Sequence, residues 1–102
     1  MRCAPVTDAA LGADEAAVLA GRLSALADPV RLRLLSLVAT APGGEVCACD
    51  LPAAVDRSQP TVSHHLKVLA SAGFVERDQR GRWAWYRVAD DGLAQVRAAL
   101  GG

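Results

Sequence analysis

Three side chains of this 102-residue chain are soft nucleophiles: Cys3, Cys47 and Cys49. Cys47 and Cys49 flank a single alanine in Cys47-Ala48-Cys49-Asp50, just upstream of a polar segment suited to contact DNA. Borderline and soft ions choose thiolates, so this pairing suggests a sensor whose signal is a thiophilic ion. Residues at i and i+2 point apart on a regular helix but to the same side of an extended chain. Asp50 reads as the cap of a helix, which puts Cys47 and Cys49 on its extended approach, able to chelate one ion. The plainer reading, two small and partly buried hydrophobes, gives no reason for two cysteines around one alanine. A thiol redox switch is the other chemistry open to the pair. The Cys-x-Cys spacing differs from the Cys-x-x-Cys of a thioredoxin-like site, and no acid/base constellation or phosphate loop accompanies it, so the chain is not expected to be an enzyme.

The second group of chemically useful residues is Ser58, Gln59, Thr61, Ser63, His64, His65 and Lys67. Ser58 looks like a helix cap with Pro60 in the first turn, and Val62, Leu66 and Leu69 supply the apolar stripe of that helix. A helix laid in the major groove presents its N-terminal residues to base edges, and glutamine can pair bidentately with adenine, which assigns base readout to Gln59. Ser58, Thr61 and Ser63 have short hydroxyls for phosphates or bases, with capping the stronger role for Ser58. His64 and His65 project about 100° apart, so one faces the groove while the other packs or meets phosphate.

The elements that must carry these residues follow from periodicity and punctuation. Residues 1–13 mix Pro, Gly, Thr and Asp without periodicity and read as a flexible arm carrying Cys3, ahead of one domain over 14–102. Leu19, Leu23 and Leu26 share one face of a first helix from Asp14. Asp28-Pro29 starts a second helix, buried through Val30, Leu34, Leu37 and Val38 and ended by Pro42-Gly43-Gly44. A short third helix runs from Asp50 to about Val55, the polar helix from Ser58 is the fourth, and Gly73 sits where a left-handed cap is expected. Phe74–Asp78 and Arg82–Val88 alternate as two strands joined by Gln79-Arg80-Gly81, with Ala84, Tyr86 and Val88 facing the core. A last helix from about Asp91 to Leu100 carries Leu93, Val96 and Leu100 on one side. The fold class is mainly α with a β-hairpin: a winged helix-turn-helix in the order ααααββα, with only Asp56, Arg57 and Ser58 between the third and fourth helices. Arg80 and Arg82, at the hairpin tip, would reach the neighbouring groove or the DNA backbone.

Length leaves room for one domain, and the Ala- and Leu-rich ends are more apolar than a lone monomer needs, so a homodimer through the terminal helices is expected. No membrane span or signal-peptide core is visible, which points to a cytoplasmic protein whose thiols stay reduced. Net charge is zero, with 11 cations and 11 acids. Its distribution is uneven: residues 57–87 hold six cations against two acids, while residues 1–56 hold four against seven. A basic half beside an acidic half suits a protein with one DNA-facing surface, although an ordinary solvated pattern accounts for any single residue.

The stretches Leu26-Ala27-Asp28-Pro29-Val30-Arg31-Leu32, Ser58-Gln59-Pro60-Thr61-Val62-Ser63-His64-His65-Leu66 and Gly81-Arg82-Trp83-Ala84-Trp85-Tyr86 resemble the ArsR/SmtB family of metalloregulatory repressors. The resemblance implies a homodimeric winged-helix repressor that holds double-stranded operator DNA when ion-free and lets go when loaded. Glu45–Leu51 is similar to that family's helix-three thiolate site, but Pro52 occupies the third position of its Cys-x-Cys-x-x-Cys form. The missing ligand is then Cys3, as in members that recruit an N-terminal cysteine; an arm of this length spans up to roughly 35 Å. The alternative is that Cys3 is an untethered terminal thiol. The family's other site, on the last helix, needs histidines; Asp90 and Asp91 are followed by none, which disfavours a zinc sensor of that type. Three thiolates neutralise trivalent arsenic or antimony, so As(III) or Sb(III) is the expected inducer, with Cd(II) or Pb(II) as the alternative and no organic cofactor.

Overall fold

The computed structural model describes residues 5–101, so Cys3 lies outside the described residues. Helices α1 (Ala13–Leu26) and α2 (Pro29–Ala39) precede strand β1 (Glu45–Cys47), the short helix α3 (Leu51–Val55) and helix α4 (Gln59–Ser71). Strands β2 (Val75–Arg80) and β3 (Trp83–Val88) follow, and helix α5 (Asp90–Ala99) closes the chain. The winged helix-turn-helix expected from the pattern is present, with one strand more than ααααββα provides.

That additional strand matters for the thiol site. Glu45, Val46 and Cys47 pair antiparallel with Arg87, Tyr86 and Trp85, so β3 is the centre of a β1-β3-β2 sheet. Three residues are too few for alternation to declare a strand against the preceding Pro42-Gly43-Gly44 turn. The hairpin turns through Gly81-Arg82, two residues later than expected at its first strand, with Gly81 at φ +63°.

The core forms where α2, α3, α4 and the sheet meet, around Leu34, Val38, Leu51, Val55, Val62, Leu66, Leu69 and Phe74, none more than 2% exposed. Tyr86 is buried on the face shared with Ala84 and Val88, while Trp83 is 49% exposed on the other, as the alternation predicts. Truncating one of these packed side chains to alanine costs about 2–5 kcal/mol.

Local chemistry sets the turn between α3 and α4. Asp56 ends α3 in the left-handed conformation at φ 53°, ψ 50°, tolerated because its side chain is short and polar. The Ser58 hydroxyl accepts from the Thr61 N–H at 3.3 Å, the expected cap, and donates to Thr61 Oγ1 at 2.9 Å. Arg33 donates to the Ala54 carbonyl at 2.9 Å, fastening α2 to the last turn of α3.

Two sequence expectations are corrected. Asp50 stands at the start of α3 but makes no side-chain cap; instead Cys47 Sγ accepts from the Cys49 N–H at 3.3 Å, closing a tight turn over Ala48–Asp50. A turn that already has its own cap leaves the Asp50 carboxylate in solvent. Of the stripe expected on α5, Leu93 and Val96 pack on the core, but Leu100, just past the end of the helix, is 55% exposed, and Gly92 and Ala99 are buried as well. The reason is the close approach of α5 to the α4–β2 corner. Gly73 turns at φ +83°, and its carbonyl accepts from the Gly92 N–H at 3.1 Å.

Candidate DNA-reading face and thiol site

Helix α4 buries Val62, Leu66 and Leu69 and leaves Gln59, Thr61, His64 and Lys67 exposed, with Ser63 and His65 half-buried. Gln59, Ser63 and Lys67 recur at i, i+4 and i+8 and turn toward the wing. The adjacent histidines separate as their 100° offset requires. His64 is exposed, whereas His65 Nδ1 receives Arg31 Nη1 at 3.1 Å. A guanidinium can only donate, so Nδ1 accepts and the ring proton sits on Nε2.

Arg31 joins three elements through that contact. Its Nε donates to the Ala25 carbonyl at 2.7 Å and its Nη2 to the Ser24 carbonyl at 3.3 Å, at the end of α1. Its backbone N–H donates to the Asp28 cap at 3.0 Å. That hydrogen bond, then the nearby positive charge of Arg31, holds the Asp28 carboxyl below the usual aspartate range despite partial desolvation.

The wing arginines divide into two kinds. Arg80 grips Glu45 with both terminal nitrogens at 2.8 and 2.7 Å, pairs with Asp78 at 2.9 Å and lies 4.9 Å over the Trp85 ring. The Arg80 guanidinium lowers the Glu45 carboxyl pKa, and the two carboxylates raise that of Arg80 in turn. Arg80 is therefore held against β1 instead of reaching outward from the tip. Arg87 pairs with Glu76 at 2.9 Å. Among the described residues, Arg57, Lys67, Arg77 and Arg82 take no carboxylate partner, and the outward positive charge of the basic half comes from them.

Between α4 and the wing lies a notch of about 220 Å³, lined by Gln59, Ser63 and Lys67 on one side and Arg77, Gln79 and Arg82 on the other. Arg77 and Gln79 escaped the sequence reading. The signal was the strand alternation, since Val75, Arg77 and Gln79 share the face of β2 that looks at α4. The Arg77 guanidinium donates to the Gln79 side-chain oxygen, and the Gln79 amide donates to the Gly81 carbonyl at 2.9 Å.

Cys49 borders this same notch. Cys47 is 4% exposed and Cys49 is exposed, with Cα atoms 5.2 Å apart and the sulfurs joined as a disulfide. The end of β1 and the turn after it set the two sulfurs side by side. The same placement suits chelation once reduced: two thiolates converge on one point, one rooted in the sheet and one at the mouth of the notch. Among the described residues no third Cys, His, Asp or Glu joins them in a cluster that could hold an ion.

Comparison with known proteins agrees with this architecture. The sequence model for "Bacterial regulatory protein, arsR family" matches residues 28–77. The arsenical resistance operon repressor of Escherichia coli is 41% identical over 64 residues, 63% of this chain and 53% of that protein, so the chain spans about half its length. The homodimeric winged helix-turn-helix DNA-binding domain of a possible ArsR-family regulator from Mycobacterium bovis, solved in solution, is 30% identical with a TM-score of 0.68, covering 91% of this chain and 86% of that one. The crystal structure of the AntR antimony-specific transcriptional repressor is 29% identical with a TM-score of 0.71, covering 91% and 83%. With its capped recognition helix, its wing and these matches, the chain belongs to the arsR family of bacterial regulatory proteins, as a transcriptional regulator and not an enzyme.

Proposed function

We propose that the protein is a metalloid-responsive repressor that binds operator DNA as a cytoplasmic homodimer and is released when As(III) or Sb(III) binds its thiolates. The observation that carries this reading is the convergence of Cys47 and Cys49 at the start of α3, on the edge of the DNA-reading face. Arsenical resistance in the name of one related repressor and antimony specificity in that of another support the choice of ion. Among the described residues no helix is long and apolar enough to cross a membrane. In this reading Gln59, Thr61, Ser63 and His64 meet bases or phosphates, Lys67 and Arg82 neutralise phosphates, and Ser58, His65 and Arg80 hold the reading elements in place. Cys3, on the arm over residues 1–13, supplies the third thiolate. Closing thiolates around an ion reshapes the entrance to α3, and a coupling of about 1–3 kcal/mol per site would lower DNA affinity several-fold to a hundredfold.

The joined sulfurs favour a second reading, in which oxidation of Cys47 and Cys49 is itself the signal. One titration separates the two. A fluorescent duplex selected by the protein from a randomised pool is bound under reducing conditions, then titrated with arsenite, antimonite, cadmium, lead, zinc or peroxide. Release of the wild type by arsenite or antimonite, and retention of the duplex by Cys47→Ser/Cys49→Ser, is the expected result. Release of that double variant by arsenite would sink the site assignment, and release of the wild type by peroxide alone would favour the redox reading. Cadmium or lead acting at lower concentration than arsenite would reassign the ion.

A further inference from the structure

We infer that the notch between α4 and the wing seats a phosphodiester of the DNA backbone, and that Cys49 forms part of its wall, so that loading the thiols removes this contact directly. The first half stands on the notch alone; the second rests on the function proposed above.

Lys67 from α4, Arg77 from β2 and Arg82 from the hairpin tip reach one concavity of about 220 Å³, and no acidic residue lines it. In a chain whose 11 acids balance its 11 cations, an acid-free enclosure bearing three cations marks an anion site. The neighbouring cations Arg80 and Arg87 show the contrast, since both are matched by carboxylates outside the notch. Gln79 acts as a positioning residue. Its oxygen takes an Arg77 donor while its amide donates to the Gly81 carbonyl, which sets the guanidinium across the opening and ties it to the tip carrying Arg82. Ser63 adds a short hydroxyl donor from the facing helix. Because the walls belong to the recognition helix and the wing, the anion that fits is the strand passing between the two elements, not a free metabolite.

Cys49 lies on that wall, exposed, while its neighbour Cys47 is buried at the end of β1, paired with Trp85 of β3. A group held on the Cys49 sulfur therefore shares space with the phosphate. Release then has a local, steric component, separable from any reorientation of the helix-turn-helix.

The test measures affinity for a mixed-sequence duplex against chloride concentration, because phosphate contacts do not depend on sequence. Arg77→Gln and Arg82→Gln should each flatten the log–log salt slope by about 0.9 for every notch engaged, while Arg97→Gln, at the far end of α5, leaves it unchanged. Wild-type slopes in both notch variants would overturn the phosphate seat. So would displacement of the duplex by inorganic phosphate, at matched ionic strength, that is abolished in Arg77→Gln, since the seat would then belong to a free anion. For the second half, the fold-loss of affinity caused by arsenite should be smaller in Arg77→Gln than in the wild type at equal salt. An equal loss overturns the shared wall and leaves the seat standing. No arsenite effect on the wild type overturns the thiol reading, and the second half with it, whatever the slopes.

Discussion

Arg80 carries a charge at the hairpin tip that its position alone would offer to DNA, yet Glu45 and Asp78 take it up. Nothing near Arg80 in sequence announces Glu45, thirty-five residues earlier; only the pairing of β1 with β3 brings them together. The pair has a consequence for stability against pH. The Glu45 carboxyl is held below its ordinary value of 4.5, so its contribution to the fold is complete above that value and fades as pH falls through it. Thermal melts of Glu45→Gln should therefore lie below the wild type near neutral pH and converge with it in the acid window under 4.5. A difference that persists unchanged into acid would reject the assignment. Single residues that act locally were legible in advance: the Ser58 cap, the Gly73 turn and the separation of His64 from His65 need only spacing and side-chain chemistry. Residues whose partners are distant, such as Arg31 and Arg80, were not.

Among elements, helices with a sustained apolar stripe declared themselves, while β1 did not. Its three residues become a strand only because β3 offers an edge, a tertiary effect that propensity cannot register. The consequence for the site is large, since Cys47 is thereby part of the wing's own sheet. Helix α5 was placed correctly and Leu93 and Val96 of its stripe pack on the core, but its closest approach was not legible, because the decisive residue is a glycine with no side chain to count. A Cβ on Gly92 would overlap the Gly73 carbonyl and come within 2.9 Å of the Phe74 ring. Gly92→Ala should destabilise the fold by about 1–3 kcal/mol through that overlap. Gly21→Ala, on the open side of α1 with nothing within 4 Å, should stabilise it by up to about 1 kcal/mol. Urea denaturation midpoints test both; a Gly92→Ala protein as stable as the wild type would show that the corner yields easily.

At the scale of the whole molecule the chain is drawn out, 45 × 24 × 20 Å, with a radius of gyration of 14.7 Å against about 13 Å for a compact domain of this size. Three of its exposed large apolar residues, Val6, Val18 and Leu100, sit on the terminal elements, where the Val6 N–H also reaches the Ala99 carbonyl at 2.7 Å. In the proposed homodimer these residues would be the ones covered by association through the terminal helices. Val18→Asp should shift the protein from dimer to monomer in sedimentation and weaken duplex binding by about a hundredfold as two linked half-sites become one. A dimer of unaltered strength would move the interface elsewhere.

Arg31 also works as a ruler. It keys the end of α1 to His65 in α4, so in the proposed homodimer it would fix the separation of the two recognition helices, and only a planar fork of donors can engage both carbonyls and the imidazole at once. A symmetric pair of subunits so braced reads the distance between half-sites as strictly as their bases, and would discriminate against a duplex in which a single base pair had been inserted at the centre.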